Sequence, residues 1–296
     1  MPNMKSQRLE IDALRVLQAV QHHGGITRAA EALRVTQSAV SHKLKRLETS
    51  LDCQLLTRRS GGSMFTSSGE ELLSYADRIL DLHDEAVLSL VRTNLSGRIQ
   101  LGLTEDTAMT DLSRVLGRFR RLHPDVVVRT KVRMSLTLRS FLERKELDAA
   151  IMQVFDHEVR PTDVVLFHET LHWVKSPELT LPDQGAIPFL SFDEACFFRH
   201  WALDIGQDDD ALLETVFECA SAAGIANAVR ASLGVALLSE RHITPDMDVI
   251  QDRFPAPPSL SYVVRRSRRE RNPALDELVA QIEHEIGRNG GLSLAG

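Results

Sequence analysis

No stretch of the 296-residue chain approaches the ~18 consecutive apolar residues that a membrane span requires. The first residues, MPNMKSQRLEIDALR, put charges where an export signal needs an apolar core, so export is not expected. Cysteine is scarce. Cys53, Cys196 and Cys219 are odd in number and widely spaced, which argues against a disulfide framework and for a reduced, cytoplasmic setting. A redox switch of Cys196 with Cys219 would need proximity or a lowered pKa, and the sequence shows neither. The common enzyme signatures are missing too: no G-x-S-x-G, no glycine-rich phosphate loop with Lys-Ser/Thr, no H-E-x-x-H. His168 and His172 would share a strand face, yet lack a Cys, Asp or Glu set at metal-ligand spacing. No catalytic residue, metal or cofactor is expected.

What is present is ordinary soluble composition, 43% hydrophobic and 26% charged, in a chain long enough for two or three domains. The net charge of −6 suits a DNA-binding protein poorly until it is divided. Residues 1–60 carry ten Lys or Arg against five acids, a net +5, so the remainder carries −11. A small basic module on a large acidic body fits a protein whose one end meets a polyanion.

Residues 11–22 place Leu14, Leu17 and Val20 at helical spacing before Gly24-Gly25. Thr27 is the N-cap candidate of a second helix, whose Ala29, Ala30 and Leu33 would let another helix approach closely. Thr36 is the N-cap candidate of a third, running to about Ser50 with Val40, Leu44 and Leu47 on one face. Gln37, Ser38, Ser41, His42 and Lys45 line the other. Short hydrogen-bonding side chains at the N-terminus followed by cations are what a groove-entering helix needs. For this helix alone, an amphipathic helix with a solvated face is the commoner explanation. The short helix and tight turn before it decide for a helix-turn-helix. LLTRRSGGSMFTSSG then reads as a hairpin around Gly61-Gly62, a wing from which Arg58 and Arg59 could reach phosphates or a minor groove.

Residues 67–93 contain no proline, and no glycine after Gly69. Leu73, Ala76, Leu80, His83, Val87 and Leu90 recur at alternating spacings of three and four, a seam widened by Leu72, Ile79 and Ala86 and expected to pair with a second copy of the chain. Packing of that stripe against the chain's own body is the alternative.

From residue 98 onward, strand and helix patterns alternate, which implies an α/β body with largely parallel sheets. Strands are predicted at 98–104, 125–132, 147–152, 163–174, 187–192, 213–219, 234–238 and 260–266. Helices are predicted at 107–122, 136–144, 195–204, 224–232 and 274–288, the last with Asn272 as N-cap and Pro273 in first position. The run RRSRRER at 265–271 is read as a solvated turn.

These stretches resemble the LysR-type transcriptional regulators. The resemblance runs through TRAAEALRVTQSAVSHKLKRLE, the wing and the long helix, then FRRLHPDVVVR, LERKELDAAI and ASLGVALLSE, almost the whole chain. Leu17 and Leu56 stand where the family usually has Phe, Gly25 where it has Ser, and Asp52 where it has Gly; the polar face of the third helix is untouched. LGLTEDTAMTDL, LHWV and FLSFDEACFFRHWAL are similar in pattern to the LrhA/HexA branch.

The resemblance implies a multidomain fold: an N-terminal winged helix-turn-helix (1–66), a linker dimerisation helix and hinge (67–97), and an α/β domain like the periplasmic binding proteins (98–296). Two subdomains are implied, 98–163 with 267–296 and 164–266, the chain crossing between them near 160–168 and 262–268. The ligand cleft would lie between them, at the carboxyl ends of the strands. Candidates there are Thr104, Glu105 and Asp106 after the first strand, Ser135 and Thr137 after the second, and Phe197, Arg199 and His200 on the first helix of the second subdomain. Each has a structural alternative: helix capping for Thr104 and Ser135, core filling for Phe197, an ion pair for Arg199. The implied partners are promoter DNA, a small-molecule effector, further copies in a dimer or tetramer, and RNA polymerase. Two other readings stay open, an effector-independent architectural protein or repressor whose body serves oligomerisation, and a metabolic enzyme or solute-binding protein with a vestigial DNA module.

Overall fold

The computed structural model describes residues 8–57, 64–90, 95–108, 112–182, 185–205, 213–267 and 272–289. The chain divides into two compact units, Met1–Thr93 and Asn94–Gly296. Among the described residues no helix is long and apolar enough to cross a membrane.

The first unit consists of α1 (Ile11–His23), α2 (Ile26–Ala32), α3 (Gln37–Leu51) and the long α4 (Ser67–Leu90). Gly24 ends α1 in the left-handed region at φ 65°, and Gly25, at φ 153°, takes the N-cap position of α2. The helix therefore begins at Ile26, and Thr27 lies inside its first turn rather than capping it, because the corner is made on the two glycines. The Thr36 cap forms as expected: its Oγ1 accepts from the Ala39 N–H at 3.2 Å. Leu14, Leu17, Val20, Ala29, Ala30, Val40, Leu44 and Leu47 are buried, but Leu33 is 37% exposed and does not join that face.

Leu56 and Phe65 form an antiparallel bridge, flanked by Thr57 N–H to Met64 O at 2.9 Å and Thr66 N–H to Leu55 O at 3.0 Å. This is the base of the expected wing; Arg58, Arg59 and Gly61-Gly62 lie outside the described residues. Glu48 of α3 fixes the wing, Oε1 accepting from the N–H groups of Leu55 (2.8 Å) and Leu56 (3.3 Å). On the far side α4 approaches so closely that a Cβ on Gly69 would stand 2.2 Å from the Leu55 carbonyl oxygen.

The expected seam on α4 is corrected. Leu73 joins the core of the unit, and Ala76 and Leu80 are buried with Leu14 of α1, so this half of the stripe is filled by the chain itself. Gln18 to Asp77 at 2.8 Å and the Arg15–Asp84 pair hold the two helices together. Val87 and Leu90 are exposed, and with them Tyr75 and, at 67%, Leu82. Ile79 packs on the same cluster, so the apolar positions left open are Tyr75, Leu82, Ala86, Val87 and Leu90; of the expected stripe, only its C-terminal part stays uncovered.

The second unit runs β1 (Gly97–Leu103), α5 (Glu105–Ala108), α6 (Leu112–Leu122), β2 (Val126–Val132), α7 (Ser135–Glu143), β3 (Ala149–Phe155), β4 (Val164–Glu169), β5 (Leu171–Lys175), β6 (Ile187–Ser191), α8 (Phe197–Ile205), β7 (Leu213–Glu218), α9 (Ala222–Arg230), β8 (Val235–Ser239), β9 (Asp248–Ile250), β10 (Leu260–Arg266) and α10 (Pro273–Asn289). Two five-stranded sheets result, ordered β2-β1-β3-β10-β4 in lobe I and β7-β6-β8-β5-β9 in lobe II. In lobe I, Ile99, Leu101 and Ile151 pack on Val115 and Phe119 of α6 and Leu278 and Ile282 of α10. Ala150, Met152 and Val154, on the opposite face of β3, meet Leu138 and Leu142 of α7. Burial on both faces explains why AAIMQVF reads as an unbroken apolar run apart from Gln153.

The strand expected at 163–174 splits at Thr170 into β4 and β5, which belong to different sheets. Leu260–Tyr262 of β10 pair both with Phe155–Gln153 and with Glu169–Phe167, which keeps β4 and β10 in lobe I. The crossings therefore fall at Thr170 and between Ile250 and Leu260, not at 160–168 and 262–268. His168 and His172 consequently share no strand face. Short β9 was not anticipated. Arg265 is no part of a solvated turn: it is 3% exposed in β10 and grips Asp163 at 2.6–3.2 Å. Asn272 does cap α10, its Oδ1 accepting from Ala274 and Leu275 N–H.

Candidate nucleic-acid interface and cleft

The polar face of α3 is presented as its sequence suggests. Thr36, Gln37, Ser38, Ser41, His42 and Lys45 are all exposed, while Val40, Leu44 and Leu47 point into the core. Ser38 Oγ lies 3.0 Å from Thr36 Oγ1, so the cap and the first turn are linked. The cations of α3 divide by position. Lys43 pairs with Asp12 at 3.4 Å and Arg46 with Glu10 at 3.0 Å, bracing the helix on the start of α1. Lys45 is exposed and has no ion pair among the described residues. A helix with polar, exposed first turns and a free cation further along has the chemistry to meet base edges and a phosphate.

In the second unit the two lobes meet where α5 and α7 of lobe I face α8, α9 and the segment after β8. Ser221 Oγ donates to Glu105 Oε1 at 3.1 Å. His242 Nε2 lies 2.8 Å from Asp106 Oδ1, and Arg241 Nε donates to Glu169 Oε1 at 2.6 Å. The start of α7 touches the start of α8 through Leu136 N–H to Ala195 O at 3.3 Å. Asp106 Oδ2 also accepts from Gln153 Nε2 at 2.6 Å, and Gln153 Nε2 lies 2.6 Å from the Tyr262 hydroxyl. Burial disfavours the charged form of Asp106. The hydrogen bonds from His242 and Gln153, with the charges of His242 and Arg241, outweigh that and hold the carboxyl below its usual range. Burial pushes the Tyr262 hydroxyl well above its usual value, so it stays protonated.

The cleft candidates separate. Thr104 is buried, with Thr107 Oγ1 3.2 Å from its hydroxyl, and Glu105 is the inter-lobe acceptor. Ser135 is 5% exposed at the first position of α7, and its Oγ is buried without a hydrogen-bond partner; Thr137 beside it is half-buried. Phe197 is core, ring to ring with Phe155 at 4.7 Å. Arg199 is held inside lobe II by Glu218 at 2.8 Å and by Phe192 O, so it is no free carboxylate clamp. His200 Nε2 lies 2.8 Å from Glu194 O. Gln153, Glu169, Ser221, Arg241, His242 and Tyr262 were not foreseen at the cleft; they come from distant segments, and no spacing in the sequence links them. Cys196 is buried with its thiol pushed up to about 12 by that burial, which leaves it unreactive at neutral pH.

A profile of the LysR substrate binding domain matches residues 92–286, and one of the bacterial regulatory helix-turn-helix protein, lysR family, matches residues 11–70. The chain is 29% identical over 269 residues to the HTH-type transcriptional regulator DgdR of Burkholderia cepacia, covering 90% of this chain and 91% of that protein. It is 26% identical over 277 residues to the HTH-type transcriptional regulator PecT of Dickeya dadantii, covering 93% and 87%. Among solved structures, full-length BenM is similar in fold, with a TM-score of 0.51 and 20% identity over 97% of this chain and 100% of that one. These matches mark a family; they do not mark the LrhA/HexA branch.

Proposed function

Because the chain belongs to the LysR family of transcriptional regulators, with a helix-turn-helix DNA-binding domain and a substrate-binding domain, we propose that it binds promoter DNA through the exposed face of α3 and that a small molecule between the two lobes alters this binding. The observation that carries the first part is the division of the α3 cations: Lys43 and Arg46 are used internally, whereas Lys45, exposed on the same helix as Gln37, Ser38, Ser41 and His42, has no ion pair among the described residues. Arg58 and Arg59, which lie outside the described residues, are proposed for the same interface on the sequence alone.

The effector site comprises Thr104, Glu105, Ser135 and Thr137, with the α8 start (Phe197, His200) opposite. The buried, unpartnered Ser135 Oγ supports it, since such a group is costly unless something bonds to it. Arg199, tied to Glu218, has no direct role in it. Two copies pair through Tyr75, Leu82, Ala86, Val87 and Leu90 of α4, the open positions that Leu73, Ala76 and Leu80 do not supply; a dimer of such dimers would make the tetramer. A gel shift on the DNA upstream of the chain's own coding region, with and without a panel of metabolites, tests the whole. A shift modulated by a metabolite is the expected result. No shift at low salt would overturn DNA binding, and a shift that no metabolite alters would leave the body as an oligomerisation device.

A further inference from the structure

Lobe I carries an open groove of about 910 Å³ along one side of its sheet, lined from Arg98 at the start of β1 to Lys131 near the end of β2 and round to the start of α10. The volume is in the range of small-molecule sites, roughly 300–1,000 Å³. Its charges are unevenly occupied. Each acid already has a partner: Glu146 takes Arg144 at 3.0 Å, Asp276 takes Arg266, and Asp148 Oδ2 accepts the Gln100 N–H at 2.7 Å. Three cations on the wall, Arg98, Lys131 and Lys145, have no ion pair among the described residues. They come from three different elements: the start of β1, the end of β2 and the turn after α7.

Lys145 adds an observation of its own. It stands at φ 60°, in the left-handed region. Its N–H bonds to Leu142 O at 3.1 Å and the next N–H, of Glu146, to Phe141 O at 2.9 Å, the hydrogen bonds of a helix C-terminus whose left-handed position is usually glycine. A lysine there accepts backbone strain that glycine would relieve, and the side chain gained lines the groove. Nearby, Lys131 Nζ sits 5.3 Å from the centroid of the Phe141 ring on the same turn.

We propose that this groove binds a small polyanion, a molecule with two or more carboxylate or phosphate groups, held by Arg98, Lys131 and Lys145. This site is separate from the cleft between the lobes and gives the protein a second small-molecule input. Concavity favours a small ligand over a nucleic-acid backbone, which needs an exposed cationic ridge or stripe.

Titration calorimetry on the full chain with citrate and with pyrophosphate, each against sodium chloride of equal ionic strength, tests it. One saturable site per chain is expected for at least one probe, and which probe binds identifies the source as carboxylate or phosphate. Lys145→Gly removes a cation and relieves the left-handed residue together. It should weaken that binding by about tenfold while the melting temperature stays level or rises, an outcome that misfolding cannot mimic. Arg98→Gln should weaken it similarly. No saturable binding of either probe overturns the proposal, as does binding that both variants leave intact. Loss of DNA affinity in these variants, without anion binding by the parent, overturns it in favour of a phosphate-backbone contact.

Discussion

His242 Nε2 stands 2.8 Å from Asp106 Oδ1, so the segment after β8 in lobe II is bonded directly to α5, the short helix that follows the first strand of lobe I. The same carboxylate holds Gln153 Nε2 at 2.6 Å and lies within 3.4 Å of the Tyr262 hydroxyl. One charged group thus joins strands β3 and β10 of lobe I to the opposite lobe.

Asp106→Asn should destabilise the chain by about 1–3 kcal/mol at pH 6, because the hydrogen bonds to a charged acceptor are weakened or lost. The folded carboxyl titrates below its ordinary value, so its contribution is complete above the unfolded value of about 3.9 and fades as the pH falls through the lower folded one. In urea unfolding, the gap between parent and variant should hold from pH 7 to about 5 and close below pH 4. A gap that persisted unchanged to pH 2 would remove the charge from the explanation.

Lys45→Ala should weaken DNA binding on every sequence and flatten the salt dependence by about one unit of slope. Gln37→Ala should instead relax sequence preference, at about 1–3 kcal/mol of discrimination. Lys43→Ala serves as the contrast, since its side chain is engaged by Asp12. Salt-series gel shifts giving Lys43 and Lys45 variants the same slope would refute the division of charges on α3.

Leu80 and Leu82 differ by two positions and should differ in kind. Leu80→Ala opens a hole beneath α1 and should cost about 2–4 kcal/mol of stability with the oligomer intact. Leu82→Asp, at an exposed site, should leave the melt nearly unchanged and shift sedimentation towards the monomer. If Leu82→Asp sedimented like the parent, the pairing surface would lie elsewhere.

Gly69→Ala forces a methyl against the backbone carbonyl of Leu55, which cannot rotate away as a side chain could. A loss of about 1–3 kcal/mol is expected from thermal unfolding, with a change in the wing as its local sign.

Ser135→Ala should leave stability within about 1 kcal/mol, or raise it, since the hydroxyl has no partner to lose. The metabolite dependence of the gel shift should fall in the same variant. Retention of the full response would take Ser135 out of the effector site.

The elements themselves were largely legible in the sequence. Helical spacing identified Leu14, Leu17 and Val20 as one buried face, and Thr36 declared its cap three residues before the amide it binds. Such features depend on neighbours within a turn or two. Thr27 misled because two glycines can shape a corner without a side-chain cap. The α4 seam misled because heptad spacing shows that a face is apolar without showing what covers it, and here Leu14 of α1 covers Ala76 and Leu80.

The sequence by itself determined which faces are apolar, which helix carries the hydrogen-bonding side chains, and that sheets and helices alternate in the body, since periodicity and capping are local properties of the chain. Only the tertiary structure decided which stripe of α4 stays open, that β4 and β10 close lobe I, and that Asp106, Gln153, His242 and Tyr262 meet. Those outcomes depend on contacts between residues as many as 156 positions apart, where packing volume and the pairing of buried charge select partners that no spacing along the chain encodes.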